Sequence, residues 1–532
     1  MSGIVFKPTE VYLGVDLGTT NSCAYFSIDG QQQVIVPHDG KNLLPSCICL
    51  KKEGNFQIGY PAKKAVGRRA ASVVFNAKRV IGRKYNDPEV QSMKNSCGSP
   101  IIEKDGYPYF QTSATGNLQS PTDIGTKIVQ HIIKQAESQS DSKVTRVCIT
   151  VPAHFDENQR SATQQCVLNC GFTADQVEIL NEPTAAAITY INDSEFRDGY
   201  LLVYDLGGGT FDVSIVEVRN KECTVKSYAG NNALGGADFD EAVAQIILRK
   251  FRQSNGFDLL PNPRDPAYQN AYRRLLQAAE ATKIALSTDS SSPVDLSSFG
   301  GLGRDDDDDD DDSDDDDDNE LEVTRDELND AIRSKILATM KTIDEALSKA
   351  GLEKRDISKV IRVGGSSRLT IVKEKLISYF GKEKIIYYSD VERCVAEGAC
   401  RFLYDERFKI NEITAYSLGH LLNTNTIHCV IPAGSHLPVE KTVTNITTSD
   451  NQTSVQTALY QGHATHTDEQ TPINECIKLS DFSYSGFERR PAGGIGFKTT
   501  YHIEKSGIVF VTVKEYFTGK TLLDRHPMKY ML

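Results

Sequence analysis

Hydrophobic positions along the chain fall into two patterns. Short continuous apolar runs occur at residues 11–16 (VYLGVD), 201–205 (LLVYD) and 360–363 (VIRV), each followed by Gly-rich residues. Runs of this length bounded by Gly predict buried strands. Between them apolar residues recur at helical spacing. Ile124, Ile128, Val129, Ile132 and Ile133 share one face of a helix predicted over 122–138, and further helices are predicted over 158–169, 240–251, 271–286 and 325–350. Strands alternating with helices define an α/β region. After about Asn411 the pattern becomes period-two alternation, as in KTVTNITTSDNQTSVQTALYQG and GGIGFKTTYHIEKSGIVFVTVKEYFTGK, broken by Asn, Asp and Gly. That pattern predicts an antiparallel β region.

A weak internal repeat organises the α/β part. YLGVDLGTTNSCAYF (residues 12–26) and LVYDLGGGTFDVSIV (202–216) each read as strand, Asp-Leu-Gly, small residues with Thr, then a second strand. Two copies of one hairpin predict two related lobes, each presenting a Gly-rich turn. Without Cβ atoms such a turn approaches phosphate closely, and its N–H groups form an anion-binding concavity. Two turns facing each other grip the β- and γ-phosphates of a nucleotide from both sides. An Asp at the end of each strand suits Mg²⁺, which takes carboxylates and retained water and bridges phosphates. Asp16 and Asp205 are therefore metal candidates, largely through water, and Thr19, Thr20 and Thr210 offer hydroxyls to phosphate oxygens. Neither turn has the GxxxxGK[ST] form. A third strand-to-Gly-Gly turn, VGGSSR at 363–368, is placed to pack against adenine and ribose.

Composition adds limits. A chain of 532 residues implies about three to five domain-sized units. Its 39% hydrophobic and 25% charged residues exclude a wholly disordered chain. No run approaches the ~18 apolar residues of a membrane span, and the amino terminus shows no secretory signal. The net charge of −13 is local: residues 305–312 and 314–318 are all Asp, and without them acids and bases balance. The rest of the chain gives no electrostatic reason to bind nucleic acid or membrane. The Asp run marks a disordered insert over about 288–320, in which Ser313 is a candidate phosphorylation site. The 12 Cys include no CxxC pair and read as small buried hydrophobes in a reducing compartment, with the cytosol as the default.

Six ordered signatures resemble the 70-kDa heat-shock chaperone family: VDLGTTNSC (15–23), NAKRVIGR (76–83), NEPTAAAITY (181–190), YDLGGGTFDVSIVEV (204–218), LGGADFD (234–240) and VGGSSRL (363–369). SDNQTSVQTALYQG and GIVFVTV extend the resemblance through the β region. It implies an actin-like, sugar-kinase-like two-lobed ATPase domain over 1–404, a linker over 405–412, and a β-sandwich substrate-binding domain over 413–532 without the family's helical lid. It also implies residue roles. Lys78 resembles the lysine that holds the γ-phosphate and the attacking water, Glu182 and Asp205 the carboxylates that orient that water and hydrated Mg²⁺, Thr210 the hydroxyl beside the γ-phosphate, and Asp16 its metal partner. Gly18, Thr19, Thr20, Asn21, Gly207, Gly208, Gly209, Gly235, Gly236, Gly364, Gly365, Ser366, Arg368 and Glu392 fall at nucleotide-contacting positions. Glu280, Lys283 and Ser287 match ribose and adenine contacts, and their i, i+3, i+7 spacing independently puts them on one helix face.

The resemblance implies ATP hydrolysis coupled to binding of unfolded or nascent polypeptides, with a J-domain co-chaperone and a nucleotide exchange factor as partners. Lidless relatives act at the ribosome. Several positions depart from the family pattern. Ile284 stands where an Arg stacks on adenine, which removes a cation–π contact and implies weaker ATP affinity. Asn21 replaces a Tyr and Asn76 an Asp. Glu178 reverses the charge of the Arg that receives J-domain partners, and the linker stretch DERFKINEI (405–413) is more polar than usual. A non-hydrolysing ATP-bound scaffold is the main alternative. A small-molecule kinase on the same fold is a second, and the β-rich end and the NEPTAAA signature count against it.

Overall fold

The computed structural model describes residues 9–31, 33–51, 55–66, 72–97, 99–111, 116–194, 196–231, 233–265, 267–296, 299, 321–386, 391–422 and 425–527. The Asp run and Ser313 lie outside the described residues.

Both predicted hairpins form. Val11–Asp16 pairs antiparallel with Asn21–Ile28, and Asp198–Leu206 with Phe211–Arg219, so that Asp205 sits directly opposite Asp212. The duplication extends past the hairpins. In the first sheet Arg146–Val151 lies parallel to Val11–Asp16 and is followed by Val177–Asn181. In the second, Ile357–Val363 lies parallel to Asp198–Leu206. Strands buried on both faces explain the continuous apolar runs: Val11, Leu13 and Val15, and likewise Leu201, Leu202 and Val203, are wholly inaccessible.

Two helices, Glu182–Asp193 and Cys394–Phe402, pack between the sheets at a distance only glycine allows. A Cβ on Gly398 would lie 1.9 Å from the Ala185 carbonyl oxygen, and one on Gly14 would lie 2.2 Å from the Cys400 nitrogen. The predicted helices are all present, and four have shifted ends: Pro121–Ser140, Glu157–Leu168, Gly236–Asn255 and Tyr268–Ala285. Apolar periodicity misses a polar first turn. Ser120 and Asp156 cap their helices by accepting from Asp123 and Gln159 backbone N–H groups at 3.0 and 2.9 Å. Arg325–Ala350 has the predicted bounds. Residues 288–296, expected inside the disordered insert, are part of the folded second lobe. Ser291–Pro293 pairs with Glu322–Thr324, because burial of Ser292 and Val323 ties residues on both sides of the Asp run to the second lobe. The cysteines are free thiols, Cys170 and Cys476 half-buried and the others buried. No helix among the described residues is long and apolar enough to cross a membrane.

From Ser417 onward the chain forms two antiparallel sheets around Leu418, Leu459, Phe482, Phe497, Tyr501 and Val511. One contains Ser417–Leu421, Thr426–Ile431 and Ser454–Gly462, and the other Val439–Ile446, Gly496–Ile503 and Val509–Glu515. The polar stretch after residue 404 is docked rather than free. Lys409–Asn411 adds a parallel edge strand beside Glu222–Asn231, and buried Glu412 accepts from Thr184 at 2.6 Å, from Asn181 at 2.8 Å, and from the Tyr228 hydroxyl.

The sandwich rests on the first lobe. The Glu157 backbone N–H donates to Gln461 Oε1 at 3.1 Å, Arg160 reaches the Ser506 carbonyl at 3.4 Å, and the Tyr416 hydroxyl donates to the His154 carbonyl at 3.0 Å. Ile508 joins the hydrophobic core of the first lobe.

Glu157 is enclosed in this interface, 1% exposed, and neither carboxylate oxygen has a well-formed hydrogen bond. Burial pushes it well above the ordinary Glu value, an effect softened but not reversed by the Val509 backbone and Arg160. The docked state therefore holds the proton more tightly than an undocked, hydrated Glu157. Docking is fully favoured below the ordinary Glu value and weakens as pH rises from there toward the docked one. Proteolytic nicking of residues 405–416 in the full chain should increase from pH 5 to pH 8, whereas Glu157→Gln should hold the low nicking rate of pH 5 throughout.

Candidate functional site

The two Gly-rich turns meet at the floor of a cleft of about 620 Å³ between the lobes. A Cβ on Gly208 would sit 2.0 Å from Thr20 Oγ1, so the turns face each other in contact, as the repeat predicts. Asp16, Gly18, Thr19, Thr20 and Asn21 line the cleft from the first hairpin, and Asp205, Gly207, Gly208 and Thr210 from the second. Gly364 turns the end of Ile357–Val363 into the cleft with φ of 79°, a left-handed conformation suited to glycine. Gly365, Ser366, Arg368 and Glu392 follow on the same wall. There Arg368 lies 3.6 Å from Glu392.

Two predicted glycines do not face the cleft. Gly209 and Gly235 pack against each other behind the loop: a Cβ on Gly235 would meet the Gly209 nitrogen at 2.5 Å, and one on Gly209 would meet Arg79 Nε at 2.6 Å. Gly236 does line it, with Ser366 Oγ 2.5 Å from where its Cβ would stand. These glycines bring the loop after the second hairpin close enough for the Gly236 N–H to donate to the Gly207 carbonyl at 2.9 Å.

Lys78 lies in a buried 3-10 turn, Ala77–Val80, entered through Asn76 in the left-handed region with φ of 56°. Asn tolerates that conformation about as well as the Asp it replaces. Lys78 Nζ lies 2.6 Å from Glu182 Oε1, with side chains 5% and 11% exposed. Glu182 opens the helix Glu182–Asp193, and Asp205 and Asp16 end their strands beside it. Burial raises all three carboxylates, and each is further raised by a carboxylate neighbour. Asp16 is pushed up to about 7, by burial first and Glu182 second, with Lys78 and Thr150 opposing. Asp205 is held well above its ordinary value by burial, then Glu182, Asp212 and Asp16.

Three enclosed carboxylates around one ammonium form a donor set that a divalent cation relieves. Among the described residues no three His, Cys, Asp or Glu side chains converge closely enough to enclose a metal directly. That spacing fits Mg²⁺ held through water and phosphate oxygens rather than in a protein cage.

Glu280, Lys283 and Ser287 line the opposite end from one face of Tyr268–Ala285 and the residues just after it. Two are already engaged: Glu280 with Lys63 across the cleft at 2.6 Å, and Lys283 with Asp240 at 2.6 Å. Lys63, Asp240 and Tyr60 line the site without having been foreseen. Single charges in PAKKA and DFDEA carry no local signal; only the adjacency of NAKRVIGR and LGGADFD to the cleft pointed there. Ile284 is 60% exposed in the cleft, an apolar side chain with nothing covering its outer face.

The profile of the family described as "Hsp70 protein" matches residues 12–524. The chain is 31% identical over 524 residues to a ribosome-associated molecular chaperone of Eremothecium gossypii, covering 96% of this chain and 80% of that protein. It is 31% identical to the chaperone protein HscA of Citrobacter koseri over 95% of this chain and 76% of that protein. It is 32% identical to the chaperone protein DnaK of Stenotrophomonas maltophilia over 96% and 77%. With the paired hairpins, the carboxylate-lined cleft and the β-sandwich, these matches place the chain in the Hsp70 family of ATP-dependent chaperones.

Proposed function

We propose that the cleft binds ATP with Mg²⁺ and hydrolyses it slowly, and that the nucleotide state governs polypeptide binding by the β-sandwich. The single observation that carries this reading is the contact of the two Gly-rich turns, Gly208 against Thr20, beneath Asp16, Glu182, Asp205 and Lys78. Backbone N–H groups of both turns cradle the β- and γ-phosphates. Asp16 and Asp205 would hold hydrated Mg²⁺, which neutralises charge on the phosphates. Lys78 holds the γ-phosphate, Glu182 and Asp205 orient the attacking water, and Thr210 donates beside it. Positioning and electrostatic compensation of this kind are what phosphoryl transfer needs. Gly364, Gly365, Ser366, Glu280, Lys283 and Ser287 take the ribose and adenine.

The division is an ATPase domain to residue 404, a linker over 405–412, and a polypeptide-binding sandwich from 413. Docking of Lys409–Asn411 at the sheet edge supports the linker as the element that transmits the nucleotide state. The ligands of the sandwich are unfolded or nascent polypeptides, the setting is the cytosol, and similarity to the ribosome-associated chaperone of Eremothecium gossypii favours work at the ribosome. Glu178 is 43% exposed and 3.2 Å from Arg146, which leaves the surface used for a J-domain partner without its usual positive charge. Such a partner and an exchange factor therefore meet an altered contact. The altered contact at Glu178 favours a second reading, an ATP-bound scaffold with little client cycling.

Three outcomes follow. Lys78→Ala should cut phosphate release by purified protein about a hundredfold or more, the scale of losing one charge-stabilising donor; turnover at the wild-type rate would remove Lys78 from the mechanism. Restoring a guanidinium by Ile284→Arg should tighten ATP binding about tenfold in calorimetry, as a partly desolvated cation–π contact of about 1 to 2 kcal/mol allows. Affinity for an extended apolar peptide should fall when ATP replaces ADP, and equal affinities would select the scaffold.

A further inference from the structure

A smaller cavity of about 260 Å³ opens beside the nucleotide cleft. The two share Leu43, Tyr60, Arg368 and Glu392 as walls, so the small cavity is an annex that continues the cleft. Lys41 and Arg393 line the annex and not the cleft. Lys41 is placed by its local sequence. In HDGK (38–41), Asp39 and Gly40 both take the left-handed backbone, with φ of 50° and 74°, as a two-residue type I′ turn requires. The turn is closed from both sides: the Lys41 N–H donates to the His38 carbonyl at 2.9 Å, and the His38 N–H to the Lys41 carbonyl at 2.7 Å. His38 is buried and anchors the turn. The Lys41 ammonium lies over the Tyr60 ring, 4.2 Å from its centroid, and among the described residues no carboxylate pairs with it.

The annex lies beside the position assigned to the ribose. Glu280, matched to a ribose contact, pairs with Lys63 at 2.6 Å. Lys63 follows Tyr60 by three residues on the short helix Tyr60–Ala65, which puts the two on one face. Glu280, Lys63, Tyr60 and Lys41 thus run in order from the ribose position to the annex. The other wall belongs to the second lobe. Arg368 lies 3.6 Å from Glu392, longer than a hydrogen bond, so that contact leaves its guanidinium fork uncommitted. Arg393 follows Glu392 directly. Lys41, Arg368 and Arg393 outweigh the single carboxylate in the lining, Glu392, by two positive charges. Asp39 is exposed on the turn and does not line the annex.

We propose that the annex is a second phosphate subsite, and that the cleft accepts adenosine nucleotides carrying a further phosphate on the ribose. The 5′-phosphates rest on the Gly-rich turns, and the ribose phosphate enters the annex between Lys41 and Arg368, with Arg393 beside them. Guanidinium forks match phosphate oxygens in pairs, and a lysine adds a compact charge, so this set suits a phosphate better than a carboxylate or a neutral group. The binding is non-covalent, and no group is transferred in the annex. Lys41 comes from the first lobe and Arg368 from the second, so a phosphate held by both ties the lobes together at the mouth of the cleft. A nucleotide of this class therefore leaves more slowly than one that ends at the ribose hydroxyls.

This rests on the cleft being a nucleotide site, and the test separates the two. Fluorescent ADP bound to the full chain is displaced by AMP, by adenosine 2′,5′-bisphosphate and by adenosine 3′,5′-bisphosphate. One of the bisphosphates should displace it at about a tenfold lower concentration than AMP, the scale of one charge-assisted contact. Lys41→Ala should remove most of that advantage and Lys41→Arg should keep it, with ADP affinity in both within about twofold of wild type. Bisphosphates that displace no better than AMP, or an advantage unchanged in Lys41→Ala, overturn the proposal and leave the nucleotide reading standing, because ADP is still bound. Tightening of ADP by inorganic phosphate that is lost in Lys41→Ala makes the occupant a free ion and also overturns it. No binding of ADP by the wild type overturns both readings. If Lys41→Ala does not fold, the bisphosphate comparison in wild type and Lys41→Arg decides.

Discussion

The constraint on which the rest of the structure depends is electrostatic: Asp16, Glu182 and Asp205 are drawn together out of water around one ammonium, Lys78. Isolated burial of carboxylates is costly: burial raises the proton affinity of all three, and Glu182 raises that of Asp16 and Asp205 further. A protein gains nothing in stability from such a cluster, since well-packed apolar residues would serve the core better. It persists because something else neutralises it, and the cleft has the volume and Gly-rich walls for a Mg²⁺-bound triphosphate. The fold can be seen as the means of holding this arrangement. Each carboxylate sits at the end of a buried strand or the start of a helix, where the backbone is fixed by sheet pairing and leaves the side chain little freedom.

The hairpin pair was legible because its chemistry is local. Strand, Asp, Gly-rich turn and Thr are contiguous in each copy, so the repeat gives both the two lobes and the residues that face the cleft. Lys78 and Glu182 were legible only through resemblance, since a lysine in NAKRVIGR has no pattern of its own. What the sequence concealed depends on long-range approach. The sites where helix Cys394–Phe402 crosses its neighbours rest on Gly14 and Gly398, and an isolated glycine in a strand or helix does not announce the backbone it will touch. Gly209 and Gly235, which the resemblance puts at nucleotide-contacting positions, stand where a Cβ would strike a neighbouring loop, and glycine in a loop serves close packing and anion binding equally.

The polar linker has a structural explanation. Its Glu412 is enclosed by Asn181, Thr184 and Tyr228, so at least one of its polar residues is the part that docks. Asn181 also receives Arg160, which reaches Ser506 in the sandwich. A buried network of this type is specific: it is satisfied in one geometry and costs several unpaired groups in any other.

Asn181 immediately precedes Glu182, so the Glu412 contacts and the carboxylate bonded to Lys78 are set on adjacent residues. A backbone shift at Asn181 would reach the first turn of Glu182–Asp193, which carries the carboxylate bonded to Lys78. The same helix packs at Ala185 against Gly398, where a Cβ would not fit, so it cannot move closer to its neighbour there. On the proposed reading, nucleotide and sandwich would communicate through this one helix, which both would touch at its start.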